Sequence, residues 1–145
     1  MDIEEKNINR EQNLLFKEII KDCFDIYNEL GEGLLESAYE AVLTYVLTQH
    51  GIKVERQVNL PIYYKGEKLE QQYRMDLVIN GNTIIELKAL NAVGNEHIRQ
   101  LHHYMKLTHL PFGMLINFGK NSVFSVKYVY DSVTHTCNKI VRSTL

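Results

Sequence analysis

The spacing of apolar residues changes period along this chain, and the changes mark out its elements. Leu15, Ile19, Cys23, Ile26 and Leu30 recur at helical spacing, with Phe16, Ile20, Phe24 and Tyr27 widening the stripe. This predicts an amphipathic helix of about five turns, opened by a capping pattern at Asn9 and Gln12 and ended by Gly31-Glu32-Gly33. A second helix is expected from about Leu34 to His50, with Leu35, Ala38, Tyr39, Val42, Leu43, Val46 and Leu47 on its apolar face and Gly51 as its stop. The period then falls to two. Val54, Arg56, Val58 and Leu60 alternate with Glu55, Gln57 and Asn59, which reads as a strand bent at Pro61 and running on to Tyr64.

After a turn at Lys65 to Lys68, two β-rich runs, Tyr73 to Ile79 and Thr83 to Ala89, flank Asn80-Gly81-Asn82. Asn-Gly between such runs is a strong hairpin signal. A loop of Asn80, Gly81 and Asn82 pairs Ile79 with Thr83 and sets Asp76 opposite Glu86. Alternation then places Lys88 on the face of Glu86, and Ile85, Leu87 and Ala89 on the other. A third helix is expected from about Asn95 to Leu107, broken at His109-Leu110-Pro111. The continuous apolar run Phe112 to Phe118 reads as a buried strand, and Phe124, Val126, Tyr128 and Tyr130 alternate as another. Residues 131–145 allow either an edge strand through Lys139-Ile140-Val141 or a loose tail, and residues 1–8 read as a flexible tail. No repeat or linker interrupts residues 1–145, so a single domain is expected.

Composition narrows the class. With 145 residues, 45% hydrophobic, 23% charged and 2 prolines, the chain has the make-up of an ordinary globular domain. A formal charge of -2 excludes a polycation, so any affinity for nucleic acid needs a local basic face. Arg56, Lys65, Lys68, Arg74, Arg99 and Lys106 are the candidates for it. No apolar run approaches a membrane span, the acidic start is unlike a secretory signal, and Cys23 and Cys137 lack redox or metal spacing. These features predict a cytoplasmic protein with reduced thiols and no membrane partner.

The chemistry concentrates on the hairpin. Residues opposite each other on antiparallel strands have Cβ atoms roughly 4.5–5.5 Å apart, so Asp76, Glu86 and Lys88 converge on one patch of a hydrophobic sheet. Burying two carboxylates is costly unless a divalent cation offsets them. Magnesium prefers such oxygen ligands, and the backbone carbonyl of Leu87 adds another. Lys88 is then placed to hold an attacking water or to neutralise developing charge. The plainer alternative is an ion pair of Glu86 and Lys88 on a solvated face. Glu36 lies in the first turn of its helix, where the helix dipole alone would favour an acid. Tyr39, three residues on, is suited either to hydrogen-bond a carboxylate or to edge the core. Gln100 and Tyr104 share one face of the third helix. His97, His102, His103 and His109 lack the cysteine or His-x3-His arrangement of a zinc site, and are expected on that helix's solvated side.

In order, Glu36, Asp76, Glu86-Leu87-Lys88 and Gln100-x3-Tyr104 resemble the motifs of the PD-(D/E)XK nuclease superfamily. Gly33-x2-Glu36-x2-Tyr39 resembles the signature of its GxxExxY family, as do Glu29-Leu30-Gly31, Gln57 with Tyr64-Lys65-Gly66, and Leu115 to Gly119. The resemblance covers residues 11–119, with Met75 in place of the proline that often precedes the aspartate. It implies an α/β (α+β) fold with a restriction-endonuclease-like core of order α-β-β-β-α-β, a mixed β-sheet flanked by helices, and the segments read above extend that order to α-α-β-β-β-α-β-β. It also implies a magnesium- or manganese-dependent nuclease acting on nucleic acid, DNA above all. Catalytic roles would fall on Glu36, Asp76, Glu86, Lys88, Gln100 and Tyr104, with Glu36, Asp76, Glu86 and the Leu87 carbonyl as metal ligands. Two alternatives belong to other classes: a catalytically silent nuclease-fold protein that binds nucleic acid or a protein, and a homodimer formed through an exposed edge strand at Phe124, Val126, Tyr128 and Tyr130.

Overall fold

The computed structural model describes residues 1–144. The elements are β1 (Ile3–Glu4), α1 (Arg10–Leu30), α2 (Glu36–Gln49), β2 (Val54–Tyr64), β3 (Glu67–Ile79), β4 (Thr83–Lys88), α3 (Asn95–Thr108), β5 (Phe112–Phe118), β6 (Val123–Asp131) and β7 (Thr136–Val141). All seven strands join one mixed sheet in the order β1-β7-β6-β5-β4-β3-β2. β4 and β5 run parallel, joined through α3, while β2–β3, β3–β4, β5–β6 and β6–β7 are antiparallel.

Each face of the sheet buries its own apolar set. Phe16, Ile19, Cys23 and Ile26 of α1 and Tyr39, Leu43 and Leu47 of α2 meet Leu77, Ile79, Ile85, Leu87, Met114 and Ile116. Leu101, Tyr104 and Met105 of α3 meet Val78, Ile84, Leu115, Val126, Tyr128 and Tyr130 on the other side. β4 and β5 are central and covered on both sides, which explains why their sequences are continuously apolar. The expected cap is present: the Asn9 side chain accepts the Gln12 amide at 2.8 Å. Gly31 ends α1 at φ 78°, a backbone region that glycine enters without steric cost.

Three expectations give way. Residues 1–8 are not a free tail, because Ile3 and Glu4 pair in parallel with Ile140 and Val141 of β7. Two residues cannot announce themselves by periodicity, so only the tertiary pairing reveals this strand. α2 begins at Glu36 rather than Leu34, since Gly33 sits at φ 89° and Leu35 is extended. The proposed dimer edge at β6 does not exist: β6 lies between β5 and β7, and Val126, Tyr128 and Tyr130 are buried. The ends of the sheet are β1 and β2.

β3 also breaks the regular alternation. Leu77 joins the core under α1 and α2, whereas Met75, two residues earlier, joins the core around α3. Strand side chains repeat every two residues, so the strand has turned over at Asp76. β2 turns over at the same level, since Arg56 pairs with Leu77, Val58 pairs with Met75, and Gln57 between them has φ 50°.

Candidate active site

At that turnover the β3–β4 ladder stops. Ile79 pairs with Thr83, Val78 with Ile84 and Leu77 with Ile85, as the loop Asn80 to Asn82 predicts, and Asp76 and Glu86 come next. Side chains complete the pairing there in place of carbonyls. The Asp76 amide donates to Glu86 Oε1 at 3.0 Å, and the Leu87 amide donates to Asp76 Oδ2 at 2.8 Å. Each carboxylate is thus fixed by the backbone of the other's strand.

Glu86 is 3% exposed, which excludes an ion pair on a solvated face. Burial, with the charge of Asp76 second, pushes its carboxyl up to about 8. Asp76 is also raised, first by burial; the Leu87 amide opposes this, and the charge of Glu40 adds to it. Glu36, half-buried at the first position of α2, is raised by burial and by Asp76 and Glu40, against the opposing charges of Lys88 and His97. Lys88 favours the ionised forms of all three acids, yet among the described residues it forms no salt bridge. The cluster therefore holds more negative charge than the protein neutralises.

The charges of Glu36, Asp76, Glu86 and Lys88 act on one another, but the three carboxylates do not bring one ligand atom each within 4.8 Å of one another, as Glu18, Asp22 and His50 do. Tyr104 joins the group around Glu86: burial first, then the charges of Glu86 and Asp76, raise its phenol to about 12. Gln100, one turn earlier on α3, is exposed, and its side chain makes no hydrogen bond among the described residues. Tyr39 does not reach the carboxylates. It is fully buried, stacks on Phe118 at 4.2 Å, and its hydroxyl donates to Gly31 O at 2.6 Å. Its work is to clamp the α1–α2 turn that presents Glu36.

Several contributors were not read from the sequence. Glu40, one turn after Glu36, is buried and receives Arg56 Nε at 3.2 Å, Arg56 Nη2 at 3.0 Å and the Gln57 side-chain amide. The Glu36–Glu40 spacing was a visible signal, since residues four apart share a helix face. Arg56 is thereby committed to Glu40 and drops out of the proposed basic face. Asn117, 3% exposed, accepts from the Leu90 amide at 2.9 Å and donates to the Leu90 carbonyl at 3.0 Å, fixing the chain just after Lys88. His97 accepts the Gly94 amide at 3.0 Å and so pins the start of α3. Of the remaining histidines, His103 and His109 are exposed, as expected, and lie beside Tyr73 and Tyr130, whereas His102 is half-buried against Tyr128.

A recess of about 220 Å³, lined by Glu32 to Leu34, Ala89 to Asn91 and Phe118 to Lys120, opens beside the chain segments carrying Glu36 and Lys88. A larger recess, about 620 Å³, lies elsewhere, among Glu5, Lys17, Lys127, Ile140 and Arg142. A second acidic cluster also lies apart. The ligating atoms of Glu18, Asp22 and His50 sit within 4.8 Å of one another, with His50 Nδ1 3.1 Å from Asp22 and 3.4 Å from Glu18.

The donor set at Asp76 and Glu86 suits a hard divalent cation: carboxylate oxygens, part-buried, oriented by backbone amides and short of positive charge. The model of the PD-(D/E)XK nuclease superfamily matches residues 13–129. No curated protein matches the chain. The crystal structure of SSO0001 is similar in fold, with a TM-score of 0.52 and 19% identity, over 68% of this chain and 52% of that one. This chain thus spans about half the length of that protein, and the mixed sheet with its three helices is a restriction-endonuclease-like fold. Turnover of the hairpin at Asp76, the paired carboxylates and the family match converge on one conclusion: the chain belongs to the PD-(D/E)XK nuclease superfamily.

Proposed function

We propose that this protein is a magnesium- or manganese-dependent nuclease that hydrolyses phosphodiester bonds in DNA, and that it belongs to the GxxExxY branch of its superfamily. The observation that carries this reading is the buried Asp76–Glu86 pair, held in place by amides and left short of a cation. Glu36, Asp76, Glu86 and the Leu87 carbonyl would hold the ion. When bound, the ion supplies positive charge and water acidity that the side chains lack.

The chain's own groups take the remaining roles. Lys88, on the side of Glu86, is placed to hydrogen-bond the attacking water and to offset charge growing on the phosphoryl oxygens. The phenol of Tyr104 stays protonated up to about 12 and so acts as a hydrogen-bond donor rather than as a base. Gln100 lines the same helix face and orients substrate. Glu40, tied to Arg56 and Gln57, braces α2 against β2 and so positions Glu36. The free thiols of Cys23 and Cys137 suit a reducing, cytoplasmic setting.

The test is incubation of the purified protein with supercoiled, linear and single-stranded DNA and with RNA, each with and without magnesium or manganese. Divalent-dependent DNA cleavage that disappears with Glu86→Gln supports the reading. Cleavage that persists in a Glu86→Ala, Lys88→Ala double variant contradicts it. DNA binding without cleavage under every condition would identify the silent binder instead.

A further inference from the structure

β2 and β3 continue well past the sheet. β3 pairs with β4 only from Leu77 to Ile79, whereas its pairing with β2 runs from Tyr64–Glu67 to Val54–Ile79. Beyond Asp76 the hairpin is therefore a two-stranded arm. At about 3.3 Å per residue its nine residues from Glu67 to Met75 reach about 30 Å.

The two sides of the arm differ. Val58, Leu60, Tyr73 and Met75 join the core around α3. On the other side, register sets Asn59 against Arg74, Pro61 against Gln72 and Tyr63 against Lys68. Asn59, Tyr63, Lys68, Gln72 and Arg74 are all exposed. That side therefore presents two cations, two amides and a phenol, with Glu70 as the acid of matching parity on β3. Over residues 58–75 the arm carries Lys65, Lys68 and Arg74 against Glu67 and Glu70, so it is locally basic in a chain of net charge -2. The same strands lead into the site: Arg74 is two residues from Asp76, and Gln57 bonds Glu40.

We propose that this arm is the protein's grip on duplex nucleic acid. It would lie along the substrate to one side of the scissile bond, with Lys68 and Arg74 on phosphates and Asn59, Gln72 and Tyr63 toward polar groove edges. This rests on the nuclease reading and adds to it the element that holds the duplex. A two-stranded ribbon fits a major groove about 12 Å wide, and its reach is close to one helical turn of about 34 Å. Self-association is disfavoured even though β2 is a free edge of the sheet. Gln57 at φ 50°, the lack of an N–H at Pro61 and the register shift between Pro61 and Tyr63 all interrupt the row of donors that another strand would need.

The test uses the full chain carrying Glu86→Gln, so that substrate stays intact, with a labelled 30-base-pair duplex followed by fluorescence anisotropy across a salt series. Adding Lys68→Ala and Arg74→Ala should weaken binding by about tenfold and reduce the slope of log affinity against log salt by about two. Lys139→Ala, on β7, should change neither. If the Glu86→Gln protein binds duplex and the arm substitutions alter neither affinity nor slope, the arm proposal is wrong and the nuclease reading stands. If the Glu86→Gln protein binds no nucleic acid, both fall. A change in light-scattering mass without a change in salt slope would make the arm a contact between copies and overturn its assignment to nucleic acid.

Discussion

The molecule contains two acidic clusters, and they solve the same electrostatic problem in opposite ways. Asp22 is 1% exposed and, like Glu86, is raised by burial, to about 6. Its neighbour Glu18 raises it further, as Asp76 does for Glu86. Around Asp22, however, a side chain of the protein fills the gap, with His50 Nδ1 3.1 Å from Asp22 and 3.4 Å from Glu18. Around Glu86 the available cation, Lys88, stays out of contact, and backbone amides hold the carboxylates instead. A pair closed by a histidine is a structural bracket between α1 and the end of α2. On our proposal, the pair that is oriented but not neutralised would receive a cation from outside.

Breaking each cluster should expose the contrast. The largest effect is expected on catalysis. Glu86→Gln, Asp76→Asn or Lys88→Ala should each lower divalent-dependent cleavage by about a thousandfold or more, in line with removal of a group that acts in the transition state. Asp22→Asn should leave the rate within about twofold, because that cluster shares no residue with the proposed site. Initial rates on linear DNA at saturating magnesium compare the variants directly.

Stability should reverse the ranking. His50→Ala leaves the buried Asp22 carboxylate without its imidazole hydrogen-bond partner and should cost about 1 kcal/mol. Glu86→Gln removes a charge that the metal-free fold must bury, and should raise the apparent Tm at pH 8 by several degrees. Thermal unfolding in chelator separates the two outcomes. A Tm unchanged by Glu86→Gln would mean that the carboxylate is better compensated than its surroundings suggest.

pH sharpens the same point. The folded pKa of Glu86, about 8, lies above its ordinary value of 4.5, so the folded state binds the proton more tightly than the unfolded chain does. Its contribution is fully present below pH 4.5 and is lost as pH rises through about 8. Metal-free stability should therefore decline between these values, and saturating magnesium should flatten the decline by favouring the ionised form. Glu86→Gln should remove the part of the slope near pH 8, leaving the contributions of Asp22, Asp76 and Glu36, which are also raised, at lower pH.

Much of this was legible in the chain. The Asn80 to Asn82 loop fixes the pairing of Ile79 with Thr83, and period-two alternation correctly puts Leu87 in the core opposite Glu86. Helix α1 follows from its stripe and its Asn9 cap, and β5 from its unbroken apolar run. What the sequence withholds depends on contacts between distant segments. The reversal of β3 at Asp76 requires β2 to turn over at Gln57 in step, and no local pattern encodes that coordination. Asp76 and Glu86 come together as expected, but through side-chain bonds to each other's backbone rather than through a continued ladder. Glu40 reads as one more helical acid until Arg56 and Gln57 reach it from β2. β1 is too short to show a period, and it removes the loose start that a polar terminus suggests. Tyr39 looked equally suited to site and core, and only its stacking on Phe118 settles its place.

The most direct test of the central claim is calorimetric titration of magnesium, and separately of manganese, into three proteins at pH 8: the natural sequence, Glu86→Gln and Asp22→Asn. The account predicts binding to the natural sequence and to Asp22→Asn with matching stoichiometry, and loss of binding with Glu86→Gln. Binding that survives Glu86→Gln but disappears with Asp22→Asn would contradict it, and would place the cation at the bracket between the helices.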